Sequence, residues 1–173
     1  MNDSSLASAF ARLRLALDLL VVGLAGFVIV REVGRPEERA TLAVAMALVF
    51  LATYAVGAIR LRRPADERSR AVDIWLALLT AEALALGWLS PEAAYLVFPL
   101  FFLYLHLIPG WTGVAAVAAS TLAMLLVTAT SSGLTTGAAV GPLVGAAIAI
   151  ALGLGYRALY RENQERQRLI EEL

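Results

Sequence analysis

Four ionisable side chains interrupt otherwise apolar stretches of this 173-residue chain: Asp18, Asp73, Glu82 and His106. In lipid such groups are costly, so each is a candidate for chemistry. Glu82 is the foremost. It lies midway through an apolar run and, at helical spacing, shares a stripe with Trp75 seven residues earlier. Two roles suit it. One is a proton- or ligand-responsive carboxylate facing the interior of a helix bundle. The other, which is favoured, is a protonated Glu hydrogen-bonded to a neighbouring helix for packing. Asp73 stands one turn into the same run, beside Arg68 and Arg70, where a first-turn charge or a salt bridge is expected. Asp18 follows Arg12 and Arg14 and suggests an interfacial pair.

His106 is the only histidine. Tyr95, Pro99, Phe102 and His106 recur at helical spacing and share one face. That stripe would line a pocket for an apolar or aromatic ligand, or pack a kinked helix. Packing is favoured, because such stripes usually face a core. No metal site and no cofactor are expected: one His, scattered carboxylates and no Cys provide no ligand cluster. A membrane enzyme using His106 is the weakest reading, since no nucleophile or base constellation accompanies it.

The elements that must carry these groups follow from composition. The chain is 60% hydrophobic and 16% charged, with a mean hydropathy of +0.76. That excludes a disordered chain, a nucleic-acid binder and an ordinary soluble enzyme. A bilayer core needs about 20 apolar residues per helix. Six such runs are present: Leu13 to Val30, Ala40 to Ile59, Ala71 to Leu89, Ala93 to Ile108, Trp111 to Thr130 and Ala138 to Tyr156. They are about twice the length of barrel strands and do not alternate, so helices are expected. The fold class is all-α: a polytopic membrane protein of six transmembrane helices with a cytoplasmic exit helix. Residues 1–156 form the membrane domain, and 157–173 begin a signalling helix.

The formal net charge is zero, but its placement is uneven. All 14 Lys or Arg positions are Arg, and 11 of them fall in segments that are cytoplasmic if the N-terminus is. Only Arg31, Arg35 and Arg39 then lie outside. The positive-inside rule therefore places both termini in the cytoplasm of a multi-pass plasma-membrane protein. A cleaved leader is not expected, because the first span contains an acid and lacks a small-residue cleavage site.

Gly137, Gly141 and Gly145 recur every four residues and would let another helix approach the sixth span closely. Pro142 would bend that span or sit in its first turns. Gly153 and Gly155 weaken the helix before the tail, as a hinge or to admit a neighbour. In the tail, Tyr156, Leu159, Asn163, Arg166, Ile170 and Leu173 form a coiled-coil seam with Asn163 setting the register. A solvated juxtamembrane helix is an equal alternative. No helix-ending signal precedes Leu173, so the helix looks cut.

The stretch from Gly141 to Leu173 resembles the last membrane helix and exit helix of actinobacterial, nitrate-sensor-like sensor histidine kinases. Gly141-Pro142, Gly155-Tyr156-Arg157, Tyr160-Arg161 and Glu165 through Ile170 carry the likeness, and Phe98 to Trp111 is also similar. The resemblance implies a transmembrane input module for a two-component kinase. It also implies a homodimer through the exit helix, and a response regulator reached only through a kinase core beyond Leu173. The phospho-accepting His and ATP-binding domain of that family are not in these residues, so no catalysis is expected of them. Glu82, His106, Tyr95 and Phe102 are then candidate sensing residues. The principal alternative is a small transporter or channel subunit using Glu82.

Overall fold

The computed structural model describes residues 3–35, 37–60, 68–108, 111–131, 133 and 140–155. Every regular element among them is helical. Helix α1 spans Asp3–Val33, α2 Glu38–Arg60 and α3 Arg68–Leu89. A 3-10 helix, Pro91–Leu96, leads directly into α4, Val97–Leu107. Helix α5 spans Trp111–Ser131, and α6 spans Val140–Gly155. The first helix begins ten residues before the apolar run, because the Ala, Leu and Arg residues that precede it also favour helix.

Helix ends follow local chemistry. Ser90 is extended (φ −141°, ψ 121°) because Pro91 follows it and crowds the α conformation. Ile108, before Pro109, is extended for the same reason (φ −100°, ψ 117°). Glu38 opens α2 and Arg60 closes it, each with the sign that suits the helix dipole.

The expected fourth helix, Ala93 to Ile108, is not one α-helix. Its first part belongs to the 3-10 segment. Pro99 explains the break. It has no N–H to give the Tyr95 carbonyl, and its ring would press on that carbonyl in an α-helix. The shift to 3-10 bonding, with the Val97 N–H reaching the Ala94 carbonyl, removes the conflict.

Helix α3 is central. It packs against α2, the 3-10 helix, α4 and α5. Helix α2 meets the core through Ala43, Ala47, Phe50, Tyr54 and Gly57, a single stripe at spacings of three and four. Phe50, Leu79, Leu86, Leu100, Phe101 and Met124 are fully buried. The outward faces are also apolar: Val30 is 75% exposed and Leu126 67%. Three helices, Glu38–Arg60, Arg70–Leu89 and Trp111–Ser131, are long and apolar enough to cross a membrane. An apolar exterior over such helices fits contact with a lipid bilayer.

Candidate functional site

The polar groups buried in the bundle meet along α2. Trp75 Nε1 on α3 donates to the Thr53 carbonyl at 2.8 Å, and the Thr53 hydroxyl donates to Glu82 Oε1 at 2.8 Å. Trp75 and Glu82 thus share the stripe expected of them, and it faces α2. The next residue, Tyr54, turns toward α1 and donates its hydroxyl to Asp18 Oδ1 at 2.6 Å. One turn away, Arg14 donates to the Ala58 carbonyl at 2.7 Å. The Tyr54 and Trp75 rings lie 6.1 Å apart, tilted by 37°. Gly57 makes this approach possible, since a Cβ there would overlap the Trp75 indole.

Glu82 is 6% exposed, and its Oε2 has no hydrogen-bond partner among the described residues. A half-satisfied carboxyl at this depth is costly to leave as it is. The free oxygen is where a proton, a cation or a donor group would be received. Asp18 does not form the expected pair with Arg12 or Arg14: its partner is the Tyr54 hydroxyl, which lies directly across the helix contact. Asp73 is exposed and has no ion pair among the described residues. Among those residues, no three His, Asp or Glu side chains gather closely enough to hold a metal ion.

Along the aromatic stripe Tyr95 is 45% exposed, Pro99 is buried, Phe102 is half-buried against the core and His106 is exposed. Tyr95, Phe102 and His106 do not gather around Glu82, which faces α2 instead.

Tyr95 turns to α6. A Cβ at Gly141 would lie 3.2 Å from its ring, one at Gly145 would overlap the Phe98 ring, and one at Gly153 would lie 2.9 Å from Leu105 Cδ1. With the fully buried Ala149, these positions form a row of small residues every four along α6. Pro142 is the third residue of that helix and is buried. The two glycines before the tail are unequal: Gly153 receives Leu105, while Gly155 has no described neighbour within 4 Å. Gly137, Asn163 and the exit helix lie outside the described residues.

One cluster goes unnoticed when Arg31 and Arg35 are counted only as loop charges. Both donate to Glu92 Oε1 at 3.3 Å, and Arg35 also donates to the buried Glu32 at 3.2 Å. The Ser90 hydroxyl donates to Glu92 Oε2 at 3.1 Å. Burial pushes the Glu92 carboxyl upward. Its own backbone N–H, Ser90 and the two guanidiniums outweigh that and hold it below the usual carboxylate range. The cluster ties the end of α1 to the turn between α3 and α4. The Ser-Pro-Glu order was its local signal, since it sets a carboxylate beside a hydroxyl at a helix start.

No family model, curated protein or solved structure matches this chain.

Proposed function

We propose that this chain is the membrane input module of a two-component sensor histidine kinase, as its resemblance to that family implies. Six segments cross the plasma membrane in turn, with both termini in the cytoplasm. The 3-10 helix and α4 together rise roughly 28 Å, close to a hydrocarbon core of about 30 Å. The segments α1 to α3 form a hydrogen-bonded frame, and α6 is the output element. Tyr95, Phe98 and Leu105 seated on the small-residue row of α6 are the observation that carries this reading. Side chains fitted into a row of small residues form that contact, and a switch needs two seatings of α6 that differ by only a few kcal/mol. A stimulus in the bilayer would change the seating and turn or shift the exit helix. That helix, dimeric through its seam at Asn163, would pass the change to a kinase core and so to a response regulator. We assign no catalysis to these residues themselves.

Reading the gene past the codon for Leu173 tests the proposal. An open frame into a helix with a phospho-accepting His and an ATP-binding domain supports it. A stop codon directly after Leu173 overturns it.

A second reading is favoured by the unpartnered Glu82 Oε2: a small transporter or channel subunit with Glu82 as its coupling group. Proteoliposomes of the wild type and Glu82→Gln decide it. Cation or proton flux lost in the variant supports transport, and no flux in the wild type removes it.

A further inference from the structure

On the side of α3 turned away from Thr53 and Glu82, a cleft of about 390 Å³ opens between α3 and α5. Asp73, Leu76, Ala77 and Thr80 form its α3 wall at spacings of three, one and three. Ala116, Ala119, Ser120 and Ala123 form the α5 wall with the same spacing. Tyr104 of α4 and Ile108 just after it are its floor. Four alanines therefore create the space: two α-helices faced with small side chains leave a gap between them that no other described side chain fills. The volume is within the range of small-molecule sites, roughly 300–1,000 Å³.

The few polar groups in this apolar space share one character. The Thr80 hydroxyl donates to the Leu76 carbonyl at 2.6 Å, and the Ser120 hydroxyl donates to the Val117 carbonyl at 3.0 Å. Each hydroxyl has one proton, and both are now spent. The Thr80 and Tyr104 hydroxyls are also in hydrogen-bond contact with each other. What remains for an occupant is oxygen lone pairs, with the Asp73 carboxylate on the same wall two turns from Thr80. Among the described residues, no lining side chain carries a positive charge. The carboxylate would repel an anion, and a purely apolar molecule would leave it unused.

We propose that this cleft binds an amphipathic organic cation. Its apolar body lies against the alanine walls, and its protonated amine rests on Asp73. Any further N–H or O–H of the ligand is directed to the Tyr104 and Thr80 oxygens. This proposal is independent of the kinase reading.

The test uses the full chain in nanodiscs of zwitterionic lipid, titrated with naphthylmethylamine and with its uncharged isostere naphthylmethanol. Probe fluorescence is read against empty nanodiscs at pH 7. The amine is expected to saturate one site and to bind about tenfold tighter than the alcohol, the usual worth of a hydrogen bond to a charged group. Asp73→Asn should bring the amine to the level of the alcohol. Ala116→Leu and, as a second filling variant, Ala123→Leu should remove binding of both, with helix content checked by circular dichroism. Equal binding of amine and alcohol overturns the proposal, as does an Asp73→Asn variant that keeps the preference. Undiminished binding in whichever filling variant folds also overturns it, because the probe would then sit in lipid or elsewhere on the protein.

Discussion

At two close helix approaches, Gly57 and Gly145, a Cβ would overlap an aromatic ring. At Gly57 the ring is Trp75, and its indole N–H is tied to the Thr53 carbonyl. At Gly145 the ring is Phe98, which has no polar atom by which to be tied. The first contact belongs to a seam where Arg14, Asp18, Thr53, Tyr54, Trp75 and Glu82 form directed hydrogen bonds across three helices. The second belongs to a row of small residues that accepts side chains by shape. Hydrogen bonds specify one register and are lost if it slips. A row of notches with a four-residue period offers a similar seat one turn along. Directed hydrogen bonds join α1, α2 and α3, whereas α6 is seated on its neighbours through a row of small residues.

This contrast is open to measurement, most sharply by adding one methyl at each glycine. Gly57→Ala should be the most damaging change, by about 2–3 kcal/mol, because the anchored indole cannot move without losing its bond. Gly145→Ala should cost less, about 1–2 kcal/mol, because the Phe98 ring can shift without losing a hydrogen bond. Reversible unfolding in mixed micelles would compare the two, and equal losses would remove the distinction between the regions.

Thr53→Val comes next. It leaves both oxygens of the Glu82 carboxyl without the threonine donor. A loss of roughly 1 kcal/mol is expected, since interhelical hydrogen bonds in membranes average about 0.6 and reach about 1.7 kcal/mol. The double variant with Glu82→Leu should recover part of the loss, and a strictly additive cycle would deny the coupling.

Glu92 predicts a smaller, pH-dependent effect. Its carboxyl is held below its unfolded value of about 4.3, so the stability it contributes is fully present above that pH. That contribution is lost as pH falls through the lower folded value. Glu92→Gln should flatten this acid limb in a thermal melt series. Both arginine partners are about half exposed, so the amplitude should also shrink in high salt. Gly155→Ala should be the mildest change, neutral or slightly stabilising. No described residue faces that position, and alanine favours helix by up to about 1 kcal/mol.

The all-helical class was legible in the sequence, because apolar runs of such length leave the backbone only one way to satisfy itself in lipid. The stripe of Trp75 with Glu82 and the four-residue glycine spacing were legible too, since helical periodicity fixes which residues share a face. Periodicity is silent on which neighbour that face will meet. Nothing local tells Asp18 that Tyr54, 36 residues on, is nearer than Arg14, or brings Arg31 to Glu92 across 61 residues. The 3-10 turn at Pro91–Leu96 was not legible either, since an apolar run does not show where one helix type gives way to another. The alanine cleft was beyond reach as well, since a run of alanines on α5 reads as ordinary helix until α3 and α4 are set beside it. The sequence by itself determined the helices and the faces they present, because those follow from backbone satisfaction and a fixed angle per residue. Partners, notches and the empty space between helices were decided only by tertiary packing, because they depend on distances between segments that the chain order does not encode.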